Sequence, residues 1–199
     1  MDLPGVRRKL AHKITSPIVG TLSKLGVTPN TLTFINLGLN ILAGYVISMG
    51  HFLIGGILVL ISGLCDILDG AVARLTGRST KFGAILDSTV DRIAEAAVLC
   101  GLLLWYIQDG PQENRLAIVL VFIVLVGSFL VSYVKARAEG VGWQCQVGLF
   151  TRAERVIVLA LGLLIDQVFI ALCILSVFVS FTVVQRLVHL WRQARTGGD

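Results

Sequence analysis

The chain has 199 residues, of which 55% are hydrophobic and 15% are charged, and its formal net charge is +5. With a mean hydropathy of +0.85, this composition excludes an ordinary soluble globular domain and indicates a polytopic membrane protein. The positive charge argues little for nucleic-acid binding, because the basic residues lie at predicted helix ends and form no separate domain.

The predicted elements begin with a basic, moderately apolar segment, residues 1–27, which favours a helix lying in the membrane interface. Apolar stretches that suit about 30 Å of hydrocarbon follow at residues 31–50, 52–75, 83–106, 115–136, 153–166 and 168–190. The fifth stretch is short. The sequence therefore predicts an all-α integral membrane protein with six transmembrane helices in one domain, residues 28–192, followed by a tail, residues 193–199.

The basic residues predict how this protein lies in the cell membrane. With six spans, those from Arg7 to Arg195 fall almost entirely on one side, and the other side holds Arg115 alone. Since Lys and Arg favour cytoplasmic loops, we expect both termini, and a functional site near the basic loops, to face the cytoplasm.

Four aspartates interrupt the second and third spans. Asp66 and Asp69 are three residues apart, and Asp87 and Asp91 are four apart, so each pair lies on one helix face. An antiparallel helix pair brings the two acidic faces together near the cytoplasmic end. The pattern predicts a site at which four carboxylates converge.

These carboxylates need compensating charge. Each Asp at the centre of a membrane helix costs about 2.5–3.5 kcal/mol, and two nearby cations on these helices, Arg74 and Arg92, do not balance four anions. All-oxygen ligands favour Mg²⁺, Mn²⁺ or Ca²⁺, and Mg²⁺ is often shared with substrate phosphates. The pattern thus favours metal-dependent phosphoryl chemistry; the alternative is a set of carboxylates that pair with arginines in a hydrated cavity.

The spacing of these residues resembles a known signature. Asp66-x-x-Asp69-Gly70-x-x-Ala73-Arg74, eight further residues and then Gly83-x-x-x-Asp87-x-x-x-Asp91 is similar to the motif of the CDP-alcohol phosphotransferase family. The resemblance implies that a phosphatidyl group passes from CDP-diacylglycerol to an alcohol hydroxyl, with release of CMP. It also implies a homodimer in the lipid bilayer.

The resemblance implies a role for each residue of the motif. Asp66, Asp69 and Asp87 would be metal ligands for Mg²⁺ or Mn²⁺, with two ions expected, and Asp91 would be both a ligand and the general base. The expected CDP-lipid contacts are Gly70, Arg74, Thr80 and the residues of the segment PNTL, namely Pro29, Asn30, Thr31 and Leu32. For PNTL, helix capping after Thr28 is an equally good explanation.

The acceptor alcohol is predicted from cations and from local similarity. Lys135, Arg137, Arg152 and Arg155 flank one cytoplasmic loop, which favours a phosphorylated acceptor, although the positive-inside rule alone would place basic residues there. The segment FGAILDSTVDRIAEA is most similar to the branch of the family that makes phosphatidylinositol phosphate. Inositol phosphate is therefore the expected acceptor and glycerol 3-phosphate the alternative.

A cation transporter is a more distant alternative, because acidic residues within membrane helices also mark ion pathways. It predicts acids near the bilayer midplane in several helices. The aspartates of this chain instead cluster on two neighbouring helices at the basic side, which favours the enzyme.

Overall fold

The structure is a computed structural model that describes residues 28–76, 80–108 and 115–197, without the side chains of residues 29, 67 and 69–76. The described residues form six helices. They are α1 (Pro29–Ser48), α2 (Phe52–Thr76), α3 (Lys81–Gln108), α4 (Arg115–Gly140), α5 (Arg152–Leu164) and α6 (Val168–Arg195). The prediction of an all-α chain with six helices is confirmed for these residues. The interfacial helix expected within residues 1–27 lies outside them.

Successive helices run in alternating directions. The last part of α2 and the first turns of α3 and α5 meet through ion pairs of Arg152 with Asp66 and Asp91. The first half of α3 and the last turns of α4 line one cleft, and Arg186 of α6 hydrogen-bonds to the Val131 carbonyl of α4. We call the end of the bundle that contains these contacts the acidic end, after its aspartates.

Within the described part of the chain, three helices are long and apolar enough to cross a membrane. These are residues Asn30–Ser48, Arg115–Gly140 and Val168–Arg195, judged by length and composition. The fifth helix has 13 residues, which span about 20 Å at about 1.5 Å per residue, less than the hydrocarbon thickness. That all six helices span the membrane, with both termini in the cytoplasm, therefore stays a prediction.

Capping residues determine where the helices of the acidic end begin. The Thr28 hydroxyl accepts a hydrogen bond of 3.3 Å from the Thr31 N–H at the start of α1. The Thr80 hydroxyl accepts one of 2.9 Å from the Gly83 N–H at the start of α3. Before α5, the Thr151 N–H donates to the Glu154 carboxylate at 2.9 Å. Each contact satisfies a backbone N–H group that the helix itself leaves unpaired.

The helices α1 and α3 approach most closely away from the acidic end. A Cβ atom on Gly101 would lie 2.1 Å from the Gly44 carbonyl oxygen, and one on Gly44 would lie 2.4 Å from the Ala97 oxygen. Only glycine allows this backbone contact. Next to it lies an apolar core whose fully buried side chains include Ile47, Leu99, Leu102, Leu163 and Leu172. This contact fixes α3, and with it two of the aspartates, relative to α1.

Candidate active site

Three of the four predicted carboxylates come together. Asp66 of α2 and Asp87 and Asp91 of α3 each offer an oxygen atom, and these atoms lie within 4.8 Å of one another. The spacing of Asp87 and Asp91 is one helical turn, so both face α2. The side chains of Asp69 and Arg74, and the surroundings of Gly70, are outside what the structure describes.

Arg152 reaches into this cluster from the first turn of α5. Its Nη1 atom lies 2.6 Å from Asp66 Oδ2, and its Nη2 atom lies 3.0 Å from Asp91 Oδ1. One guanidinium group thus joins the carboxylates of α2 and α3. The contact to Asp91 has the distance of a hydrogen bond but not its angle. The Asp91 Oδ1 atom is therefore buried without a hydrogen-bond partner in the described part of the chain.

A second cation, Arg92, lies on the other side of Asp91. Its Nη1 atom is 3.9 Å from Asp91 Oδ2 and also donates a hydrogen bond to the Ser88 carbonyl of its own helix. Asp91 itself is 7% exposed. The carboxylate that the sequence assigns as general base therefore has a cation near each of its two oxygens.

The carboxylates fit a divalent cation. The Asp87 Oδ1 atom is buried and has no hydrogen-bond partner among the described residues. A buried carboxylate oxygen without a partner is costly, and a metal ion would satisfy it. Oxygen ligands from three side chains suit Mg²⁺ or Mn²⁺ better than a softer metal.

Deeper in the bundle, Arg155 forms a closed ion pair with Glu95. The Arg155 Nε and Nη2 atoms lie 2.8 Å and 2.9 Å from the two Glu95 carboxylate oxygens. Arg155 is 3% exposed, and two of its guanidinium donors are occupied by Glu95. The sequence placed Arg155 among cations that meet the acceptor; in the structure it would reach a phosphate only if the pair with Glu95 opened.

The first turns of α1 and α3 lie side by side at the acidic end. A Cβ atom on Gly83 would lie 2.9 Å from Thr80 Oγ1 and 3.7 Å from Asn30 Oδ1. Asn30 and Thr80 are exposed, whereas Leu32 is buried in the core and Thr31 hydrogen-bonds to Thr28. Of the segment PNTL, Asn30 is thus the described side chain best placed to contact a ligand. Thr31 and Leu32 contribute to the capping and packing of the first turn of α1.

The remaining predicted acceptor contacts lie on α4. Lys135 is half-exposed and pairs with Glu139 at 3.7 Å. It lines an open cleft of about 600 Å³ between α3 and α4, which Arg92 also borders. Arg137 lies in the last turn of α4 and is exposed. Lys135 of α4 and Arg92 of α3 thus line the same cleft.

Sequence reasoning missed Glu95, the buried partner of Arg155. A signal was present, because Glu95 follows Asp91 by one helical turn on the same stripe of an otherwise apolar helix. It also missed Arg186 of α6, whose Nε donates to the Val147 carbonyl at 2.9 Å and so holds the segment before α5.

Comparison with known proteins identifies the family of this chain. The model of the CDP-alcohol phosphatidyltransferase family matches residues 26–191. The chain belongs to this family. It is thus an enzyme of the class that the aspartate motif suggested, and the transporter alternative is not supported.

Several relatives have similar length. The phosphatidylinositol phosphate synthase of Corynebacterium glutamicum is 40% identical over 190 residues, which cover 91% of this chain and 85% of that protein. The enzyme of the same name from Mycobacteroides abscessus is 37% identical, covering 90% and 84%. Archaetidylinositol phosphate synthase of Pyrococcus horikoshii is 33% identical, covering 95% and 98%.

Solved structures show the same fold. The crystal structure of Mycobacterium tuberculosis phosphatidylinositol phosphate synthase with CDP-DAG bound has a TM-score of 0.82 and 35% identity, covering 90% of this chain and 94% of that one. The complex of that enzyme with manganese and citrate also has a TM-score of 0.82 and 35% identity, covering 89% and 88%.

Proposed function

We propose that this enzyme transfers the phosphatidyl group of CDP-diacylglycerol to the hydroxyl of inositol phosphate, giving phosphatidylinositol phosphate and CMP. The observation that carries the proposal is the convergence of Asp66, Asp87 and Asp91, with a buried, unpartnered oxygen on Asp87. Relatives named phosphatidylinositol phosphate synthase, at 37% and 40% identity over most of the chain, support the acceptor.

The metal ligands proposed are Asp66, Asp69, Asp87 and Asp91, which would hold two ions of Mg²⁺ or Mn²⁺. Bound divalent metal neutralises a diphosphate and its leaving group. Manganese in the complex of the mycobacterial relative supports this assignment. The three described carboxylates come from two helices, α2 and α3, so cation binding at this site depends on the relative position of these helices.

Asp91 is proposed to accept the proton of the acceptor hydroxyl. The hydroxyl oxygen then bonds to the β-phosphorus of the CDP-lipid, and the bond from that phosphorus to the oxygen of the CMP leaving group breaks. Asp91 suits this role because it is the least exposed of the three described carboxylates and offers an oxygen within 4.8 Å of those of the other two.

The CDP-lipid is proposed to lie at the first turns of α1 and α3. Asn30 and Thr80 are exposed there beside Gly83, whose missing side chain lets the Thr80 hydroxyl lie close to the backbone of α3. Gly70 and Arg74, on the last turns of α2, complete the proposed contacts, together with Pro29 and Thr31, whereas the buried side chain of Leu32 supports a role in the core instead. The bound CDP-DAG of the mycobacterial relative supports a lipid substrate of this class.

The acceptor phosphate is proposed to meet the cations of α4 and α5. Lys135 and Arg137 are exposed at the acidic end, and Arg152 contacts the carboxylates directly. For Arg155, the buried pair with Glu95 supports a positioning role instead of direct phosphate contact. We further propose a homodimer in the cell membrane whose active sites face the cytoplasm, as the distribution of basic residues suggests.

The proposal is tested with purified protein in detergent, CDP-diacylglycerol and four acceptors: inositol phosphate, glycerol 3-phosphate, inositol and serine. We expect CMP release and a new phospholipid with inositol phosphate, dependent on Mg²⁺ or Mn²⁺ and stopped by a chelator. Turnover with glycerol 3-phosphate alone would assign the alternative acceptor. No CMP release with any acceptor would contradict the proposed function.

A further inference from the structure

We propose that Arg152 is an exchangeable counter-ion of the metal site, which competes with a divalent cation for the carboxylates of Asp66 and Asp91. The inference rests on the proposed function in one respect, namely that these carboxylates bind metal. It assigns to Arg152 a role besides the acceptor contact: setting how tightly the site holds its cation.

The first argument is that the arginine and the metal would use the same carboxylates. Two of the three groups that lie within 4.8 Å of one another are the two that Arg152 contacts, at 2.6 Å and 3.0 Å. A guanidinium this close to the ligand oxygens repels a dication, and at a few ångströms such repulsion is weakly screened inside a protein. Binding of one cation therefore lowers the affinity for the other.

The second argument concerns which arginine yields. Asp91 has a cation near each oxygen, so one contact must weaken when the carboxylate ligates a metal. Arg92 stands 3.9 Å from Asp91 and has a second anchor in the Ser88 carbonyl. The described polar contacts of Arg152 are the two carboxylates alone, and its Nε atom is buried without a hydrogen-bond partner in the described ranges. Metal binding to these carboxylates would therefore weaken both described contacts of Arg152, whereas Arg92 would keep its bond to Ser88.

The third argument is that the backbone of Arg152 stays in place while its side chain moves. Arg155, almost one turn further along α5, is fixed to Glu95 of α3 by two hydrogen bonds. The Thr151 N–H donates to Glu154 and fixes the start of the same helix. Arg152 also borders an internal cavity of about 30 Å³. The side chain can therefore leave the carboxylates without α5 losing its contact with α3.

The experiment measures Mn²⁺ binding to purified protein by the electron paramagnetic resonance signal of the free ion, with no substrate present. Arg152→Gln removes the competing charge, and we expect the dissociation constant for Mn²⁺ to fall about tenfold, which is about 1.4 kcal/mol. The matched control is Arg192→Gln, which removes one exposed positive charge from the last turn of α6 at the same end of the bundle. We expect this control to leave the constant within about twofold of the wild-type value, because an exposed, distant charge is screened.

An unchanged or weaker Mn²⁺ affinity in a folded Arg152→Gln protein would overturn the inference, because it would show that the arginine orients the ligands or has no influence on them. If that variant does not fold, Arg152→Met decides. It removes the charge but keeps an unbranched apolar side chain of similar length, so we expect tighter Mn²⁺ binding than in the wild type. Wild-type or weaker affinity in a folded Met variant would overturn the inference as well.

The same assay separates this inference from the proposed function. Wild-type protein that binds Mn²⁺, and an Asp87→Asn variant that loses the binding, support the metal site whatever Arg152 does. Wild-type protein without Mn²⁺ binding would contradict the metal site and the inference together.

Discussion

The opposite end of the bundle is held by close apolar packing, whereas the acidic end contains charged groups whose pairing is incomplete. At the opposite end Phe52, Trp105 and Tyr106 pack edge to face with ring centroids 4.6 Å and 4.8 Å apart, and Gly44 meets Gly101 backbone to backbone. At the acidic end one arginine is divided between Asp66 and Asp91, and an oxygen of Asp87 has no partner in the described structure.

This difference separates the groups that hold the fold from those proposed to do chemistry. Close apolar packing needs no ligand, whereas incompletely paired charges do. The Glu95–Arg155 pair lies between the two regions and is fully matched by its own hydrogen bonds. We therefore expect substitutions at the acidic end to change activity more than stability, and substitutions further along the bundle to do the reverse.

The largest expected effect is that of Asp91→Asn on turnover. Loss of the proposed general base should lower kcat by at least about 100-fold, while thermal stability should change much less, because Arg152 keeps its contact with Asp66. CMP release and thermal unfolding in detergent measure both effects. Asp166→Asn, an exposed acid in the turn after α5 at the opposite end, is the control and should keep normal activity. Near-normal turnover of Asp91→Asn would refute the base assignment.

The next effect should be on stability, at the Glu95–Arg155 pair. Glu95→Gln keeps the shape of the side chain but leaves the Arg155 charge buried without its counter-ion, a change that typically costs about 3–5 kcal/mol. Thermal unfolding followed by circular dichroism should show a clearly lower midpoint. Glu139→Gln breaks the exposed pair with Lys135 and should change stability by about 1 kcal/mol or less. Equal stability of the two variants would show that the buried pair does not hold α5 on α3.

A smaller loss of stability is expected where α1 meets α3. The new methyl group of Gly101→Ala would lie 2.1 Å from the Gly44 oxygen, so the two backbones must separate. Overpacking of this kind costs about 1–3 kcal/mol. Gly140→Ala is the control, because a Cβ atom there meets no atom within 4 Å. If Gly101→Ala unfolds at the wild-type temperature, the close helix contact is not part of the frame that positions the aspartates.

The sequence predicted the acidic end better than its surroundings. Helical spacing was enough to place Asp66 and Asp69 on one helix face and Asp87 and Asp91 on another, and to predict that these faces meet. The pairing of Glu95 with Arg155 joins residues 60 positions apart, so it follows from the tertiary arrangement of the helices and not from local pattern.

The four basic residues predicted to contact the acceptor also lie in environments that local sequence does not predict. The positive-inside rule gives the side of the membrane on which a Lys or Arg lies, but not the partner of its side chain. In the structure Arg155 is buried, Arg152 contacts two carboxylates, and Lys135 and Arg137 remain exposed. Four cations with one sequence-based interpretation thus occupy three different environments.

The smallest expected effect separates these environments in kinetic terms. Lys135 borders the cleft that Arg92 also lines and is half-exposed, so Lys135→Ala should fold normally and raise the KM for inositol phosphate by about tenfold, as loss of one charge-assisted phosphate contact would. The KM for CDP-diacylglycerol should change less than twofold, and Lys135→Arg should restore most of the acceptor affinity because it restores the charge. Steady-state rates measured against each substrate in turn provide the check. An equal rise in both KM values would place Lys135 outside a dedicated acceptor site, and the cleft between α3 and α4 would then serve the lipid or the membrane surface instead.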